Sequence, residues 1–397
     1  MPELKLGLSK LGNRNLDTVP PSAIREFDNE ISLIPGMIKL TLGEPDFAVP
    51  DHVKQATKVA IDQNFSHYAP SFGFMELREL ISQYLADKFD THYVATQEVV
   101  VTVGATEGIY AAISGLFNPG DTIIVPTPTF PLYETVAKVN GIHVINVNTA
   151  PDFVLTAAKL TEVLAEHPEA TGLVLNYPNN PTGATYTHAQ LHELADVIKQ
   201  TDLVVLSDEI YAELSYREPH LSMGKLLPEQ TVLISGFSKS HAMTGYRIGY
   251  LAGPHALIAL IGKMHQFLVT TAASPMMKAA EEALKNGQDD AQQMRDVYRE
   301  RQGLILHDLQ QAGFTAPTPA GAFYIFAKIP PTLIQDDVKF AYDLAKKAKV
   351  GVTPGSVFGP GGEGHVRLSY AASTQNLQEA GRRIQKYVAA FRINDEK

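Results

Sequence analysis

Cysteine is absent from the 397 residues, which excludes a disulfide scaffold, a cysteine nucleophile and a zinc site built on thiolates. No apolar run approaches the ~20 residues of a membrane-spanning helix. The opening MPELKLGLSKLGNRN has no apolar signal core, so the sequon Asn64-Phe65-Ser66 is read as chance. Positive charge is also scarce: 33 Lys and Arg face 43 Asp and Glu, a formal net charge of −10. That balance argues against broad binding to nucleic acid or anionic membrane, while leaving room for a local basic pocket. Fixed-period repeats and low-complexity blocks are missing as well. With 45% hydrophobic and 19% charged residues, the chain has the material for large buried cores. The expectation is a cytoplasmic globular protein with no nucleic-acid or membrane partner. At ~100–200 residues per domain it holds two domains or three.

From about residue 98 to 252, short apolar strands alternate with helical stretches. The strands are expected at Val99–Val103, Thr122–Val125, His143–Val147, Gly172–Asn176, Leu203–Ser207, Val232–Ser235 and Ile248–Ala252. Several are continuous apolar runs, as in strands covered on both faces of a mainly parallel sheet. A helical region follows over 276–311. Beyond it come a strand at Phe323–Ala327, a helix near 337–348, a strand at Val366–Ser369 and a last helix near 375–391. The fold class is α/β: a large domain over 46–290, a smaller α/β domain over 291–397, and an irregular, proline-marked arm over 1–45 that contributes to the smaller one. Ligands of such sheets bind beyond the carboxyl ends of the strands.

Two motifs mislead. Gly359-Pro360-Gly361-Gly362-Glu363-Gly364 matches G-x-G-x-x-G, but it leads into a strand instead of opening a helix after one, so it is read as a glycine-rich loop. LVVLSDE at Leu203–Glu209 resembles an ATPase strand end, yet no phosphate-binding G-x-x-x-x-G-K-[ST] loop accompanies it.

Four strand ends carry candidate chemistry. After Val103, Gly104-Ala105-Thr106 opens a helix whose free N–H groups could receive a phosphate. Tyr177-Pro178-Asn179-Asn180-Pro181-Thr182-Gly183 follows Asn176, and Asp208, Glu209 and Tyr211 follow Ser207. Lys239, after Ser235-Gly236-Phe237-Ser238, stands where a cleft could lower its pKa for Schiff-base chemistry. Each alone has a plainer reading as a turn or a helix cap. Together they answer one need. A phosphate-bearing aldehyde cofactor requires a lysine amine, an anion cradle and a carboxylate that keeps its pyridine nitrogen protonated.

The set Ser238-Lys239-Ser240-His241-Ala242-Met243-Thr244-Gly245-Tyr246-Arg247, Asn180-Pro181-Thr182-Gly183 and Asp208-Glu209-Ile210-Tyr211 resembles the fold type I class I aminotransferases. These are pyridoxal 5'-phosphate enzymes of the aspartate aminotransferase superfamily, and the resemblance spans nearly the whole chain. It implies that Lys239 is the Schiff-base lysine and proton shuttle, that Asp208 binds the pyridine N–H, and that Tyr211 and Asn180 hydrogen-bond the phenolic oxygen. Phe130 matches the aromatic residue stacked on the cofactor. Gly104, Ala105, Thr106, Ser238 and Arg247 match the phosphate site. Many relatives add a serine three residues before the lysine; Gly236 stands there instead and offers no hydroxyl. Tyr68 matches a tyrosine that reaches the neighbouring subunit's phosphate, which implies a homodimer with shared active sites. Arg367 matches the arginine that holds the substrate carboxylate, beside the backbone of Gly43. No metal is expected.

The activity implied is ping-pong transfer of an amino group from an amino acid to a 2-oxo acid such as 2-oxoglutarate. No motif supplies a second arginine for a distal carboxylate, so an aromatic donor is expected over aspartate. An N-acetyl-diaminopimelate aminotransferase of lysine biosynthesis is the alternative within the subgroup. A carbon–sulfur β-lyase is the alternative of another class. A ligand-sensing regulator would need a fused DNA-binding helix-turn-helix, for which the short amino-terminal segment leaves no room.

Overall fold

Runs of Val, Ile and Leu with no polar alternation form strands that must be covered on both faces. The computed structural model describes residues 2–5, 7, 8 and 11–395. The first strand, β1 (Ile38–Lys39), belongs to the N-terminal arm. The next seven are β2 (Val99–Thr102), β3 (Thr122–Thr127), β4 (His143–Asn148), β5 (Ala170–Asn176), β6 (Val204–Asp208), β7 (Thr231–Gly236) and β8 (Gly249–Ala252). They make one sheet in the order β2-β8-β7-β6-β5-β3-β4. All neighbours are parallel except β8, which runs against both β2 and β7. The carboxyl ends of β2, β5, β6 and β7 therefore share one edge of the sheet, and the four expected motifs meet there.

The later strands are β9 (Tyr324–Lys328), β10 (Val350–Gly351), β11 (Thr353–Pro354) and β12 (His365–Ser369). An antiparallel sheet β11-β12-β9 lies in this part of the chain, and β10 pairs in parallel with β1. Phe27, Ile31 and Leu40 of the arm join the same buried cluster as Phe323, Phe340, Leu344, Leu368 and Ile384.

Two expectations are corrected. The arm is not irregular throughout: Ala23–Ser32 is a helix that buries Phe27 and Ile31 at i,i+4 spacing. The region 276–311 is two helices, Ser274–Asn286 and Asp290–Gln311, separated at Gly287. The Gly287 N–H closes on the Ala283 carbonyl, and its own carbonyl lies 3.1 Å from Nε2 of buried His241, two residues past Lys239.

The sheet edge is seated closely on the helix that follows β2. A Cβ added to Gly249 would lie 2.6 Å from the Ala105 nitrogen and 2.7 Å from the Gly104 carbonyl carbon. Gly249→Ala is therefore expected to push the first turn of helix Gly104–Leu116 off the sheet. The expected cost is about 1–3 kcal/mol of stability, the usual range for overpacking. Denaturant unfolding at unchanged slope measures it, and an unchanged midpoint would show that the close approach is not a constraint.

Candidate active site

Lys239 lies in the short helix Phe237–Ser240 directly after β7. Its Nζ donates to the Gly43 carbonyl at 2.7 Å and sits 5.8–5.9 Å from the ring centres of Phe323 and Tyr211. Its pKa is lowered to about 8, chiefly by burial, with the cations Arg247 and Arg367 also lowering it and Glu44 and Asp208 opposing them. About a tenth of the amine is then unprotonated at pH 7, far more than for an ordinary lysine.

Asp208 ends β6 with 3% of its surface exposed. The Tyr133 hydroxyl donates to Oδ2 at 2.5 Å, and the Ile210 N–H donates to Oδ1 at 3.2 Å. No cation pairs with it among the described residues, and burial raises its pKa to about 6. A buried carboxylate in this condition lacks a positively charged N–H donor.

Arg367, in the middle of β12, is the opposite case: a buried cation, 3% exposed, with no acidic partner among the described residues. Nη1 donates to Asn180 Oδ1 at 2.8 Å, Nη2 donates to the Thr41 carbonyl, and Nε has no partner. The guanidinium lies 4.6 Å and 4.8 Å from the ring centres of Tyr324 and Phe358. Neutral acceptors and aromatic faces hold it in place without discharging it, so its remaining capacity suits a carboxylate. Between Asp208 and Arg367, the Tyr211 and Tyr324 hydroxyls share a hydrogen bond at 2.8 Å, and burial raises the Tyr211 phenol well above its usual value.

These groups line a cavity of about 610 Å³, with Ala105, Thr106, Phe130, Ser238 and Arg247 at its other wall. Gly104 has φ +71° and lies beneath Arg247, whose Nη2 would be 2.5 Å from any Cβ placed there. The turn thus gives an anion access to its free N–H groups. Gly236 admits no serine side chain without movement, because its Cβ would meet the Gly249 Cα at 2.8 Å. Phe130 stands edge-on to Tyr133 with ring centres 6.1 Å apart. Tyr68 is not in the cavity: it is 86% exposed, beside a separate hollow with Ile61, Phe65 and Thr271.

Sequence reasoning missed Tyr133 as the Asp208 partner, Tyr324 as the link between Tyr211 and Arg367, and Arg25 and Glu44 on the cavity wall. Tyr133 lies in the same short stretch as Phe130, which could have flagged it. The other three carry no local pattern.

The family model "Aminotransferase class I and II" matches residues 35–384. A probable N-acetyl-LL-diaminopimelate aminotransferase of Bacillus subtilis is 41% identical, over 92% of this chain and 93% of that protein. An aspartate aminotransferase of Pyrococcus horikoshii is 37% identical, over 92% and 94%. The solved aromatic aminotransferase of P. horikoshii superposes with a TM-score of 0.86 at 34% identity, covering 92% of this chain and 99% of that one.

The Asp208 environment has a measurable sign. Its carboxyl is neutral below about pH 6 when folded and ionised down to 3.8 when unfolded, so in this range the ligand-free protein loses stability as pH rises. A shift from 3.8 to about 6 corresponds to about 3 kcal/mol. Ligand-free Asp208→Asn should be more stable than the parent at about pH 7.5, by up to about that amount. The gap should close as the pH falls toward about 4. A gap that widens on acidification in denaturant unfolding would contradict the assignment.

Proposed function

The chain belongs to the class I and II aminotransferases, and on that premise we propose that it uses pyridoxal 5'-phosphate to move an amino group from an amino acid, aromatic for preference, to a 2-oxo acid such as 2-oxoglutarate. The observation that carries the reading is a buried lysine amine in one cavity with a buried carboxylate and a buried guanidinium, neither of which has an ion partner among the described residues. These residues fit the group: an acceptor for a pyridine N–H, an amine for an aldehyde, and a small-residue turn with Arg247 for a phosphate. When bound, the cofactor supplies an aldehyde that condenses with amines and a protonated ring that takes up the electron pair left at the substrate α-carbon.

The protein's part follows from its own groups. Lys239, unprotonated in part near neutral pH, is the nucleophile and afterwards the base that carries the α-proton. Asp208, fixed by Tyr133 and the Ile210 N–H, accepts the ring N–H and holds it charged. Asn180 spends its Oδ1 on Arg367, which leaves its amide N–H₂ to donate toward the phenolic oxygen together with Tyr211. Phe130 offers a ring face, while Ala105, Thr106, Ser238 and Arg247 take the phosphate. Arg367, held rigid by Asn180, Thr41 and two aromatic faces, takes the substrate carboxylate beside Gly43. One pocket serves both half-reactions, so the first 2-oxo product leaves before the acceptor enters.

We also propose a cytoplasmic homodimer in which Tyr68 completes the neighbour's phosphate site. Its 86% exposure, beside Ile61 at 59% on the same hollow, supports an apolar face that a second copy would cover. Among the described residues no helix is long and apolar enough to cross a membrane.

Donor choice rests on the cavity wall. Phe130, Ile24, Ile109 and Tyr324 supply apolar surface, and burying an aromatic side chain contributes about 1.5–3 kcal/mol. Phenylalanine and tyrosine are expected to exceed aspartate in kcat/KM by at least about tenfold, or ~1.4 kcal/mol in transition-state binding. A donor panel with 2-oxoglutarate as acceptor measures this. Parity or an aspartate preference would overturn the aromatic reading and turn attention to Arg25 on the same wall. Activity confined to N-acetyl-LL-diaminopimelate would favour the second reading, which the 41% identity to the Bacillus protein supports.

A further inference from the structure

Behind the first turn of helix Gly104–Leu116, His265 is completely buried on helix His255–Val269. Its Nδ1 lies 3.1 Å from both carboxylate oxygens of Glu107, and its Nε2 lies 2.9 Å from the Ser71 carbonyl oxygen. Both neighbours are acceptors only when Glu107 is ionised. A neutral imidazole has one N–H and can donate to only one of these oxygens, whereas a doubly protonated ring donates to both. The His265–Glu107 contact is shut away from water, with 0% and 11% of the two side chains exposed.

The position of Glu107 gives this pair its meaning. Glu107 is the residue after Thr106, in the same first turn that faces the cavity, and it also accepts the Val103 N–H at 3.0 Å. An uncompensated carboxylate there would repel any anion received by Ala105 and Thr106. The second contact of His265 reaches the segment that carries Tyr68. In that segment the carbonyls of His67, Pro70, Ser71 and Phe72 accept from Ser274 Oγ, Thr271 Oγ1, His265 Nε2 and the Val101 N–H. One buried ring therefore touches both the turn and the Tyr68 segment.

We propose that His265 is a positioning residue for the phosphate end of the site: it cancels the charge of Glu107 beneath the anion-receiving turn and fixes the Tyr68 segment to that same turn. This rests on the reading of the cavity as a pyridoxal-phosphate site. A purely structural histidine would weaken all ligands alike; a charge-balancing one discriminates by phosphate.

The test titrates the full-length apoprotein with pyridoxal phosphate, with pyridoxal and with inorganic phosphate, following tyrosine fluorescence and cofactor absorbance. In His265→Gln, Kd for pyridoxal phosphate and for inorganic phosphate should rise at least about tenfold, with pyridoxal changed less than about twofold, because Glu107 is left uncompensated. The double variant Glu107→Gln/His265→Gln should return phosphate affinity to within about threefold of the parent. Equal weakening of pyridoxal and pyridoxal phosphate, or no recovery in the double variant, overturns the proposal. If His265→Gln does not fold, Glu107→Gln alone decides: inorganic phosphate must bind at least as tightly as to the parent, and weaker binding overturns the assignment. A parent protein that binds pyridoxal as tightly as pyridoxal phosphate would instead overturn the cofactor reading itself.

Discussion

Asp208 and Arg367 are buried charges of opposite sign, and neither finds an ion partner among the described residues. Burying a charge without a partner is costly, so the fold must hold both by other means. Asp208 has the Tyr133 hydroxyl and one backbone N–H, and Arg367 has Asn180, the Thr41 carbonyl and two aromatic faces. These neutral partners fix position without neutralising charge. Lys239 is buried in the same cavity, and that burial is the main cause of its lowered pKa. The cavity is thus preorganised for a ligand that brings a positive N–H to one end and a carboxylate to the other.

Topology makes that arrangement possible. β5, β6 and β7 run in parallel and deliver Asn176, Asp208 and Gly236 to one edge. The reversal of β8 against both neighbours restores β2 to the same direction and brings the Gly104 turn to that edge. Arg367 arrives from the other sheet on β12, and the arm, paired through β1 and β10, supplies Gly43 and Thr41. Two sheets far apart in sequence therefore share one site, and the Asn180–Arg367 hydrogen bond joins them directly.

The strands of the central sheet were legible because most are apolar runs ended by turn residues, and the ends differ from expectation by at most about two residues. Lys239, Asp208, Asn180 and Arg247, marked in the sequence by the resemblance of their motifs to the aminotransferases, line one cavity. The helix Ala23–Ser32 was hidden by its polar composition and the prolines before it: only Phe27 and Ile31 among its apolar residues are fully buried, and the polar Asp28 is buried beside them. The break at Gly287 was hidden because helical periodicity continues on both sides of it. Tyr133, Tyr324 and His265 were invisible for another reason. Their partners lie 75, 113 and 158 residues away, and no local pattern encodes such a contact. Polar groups that serve a buried charge are chosen by tertiary placement, which only the folded chain reveals.

The central claim is that Lys239 is the amine to which this arrangement is directed. Borohydride reduces the link between the aldehyde of pyridoxal phosphate and the amine it has joined, leaving a stable mark. Reduction of the protein loaded with pyridoxal phosphate, followed by digestion and mass mapping, should place the mark on the peptide containing Lys239 and on no other lysine. A mark on a different lysine, or an unmodified Lys239 in a protein that has bound the cofactor, would contradict the account.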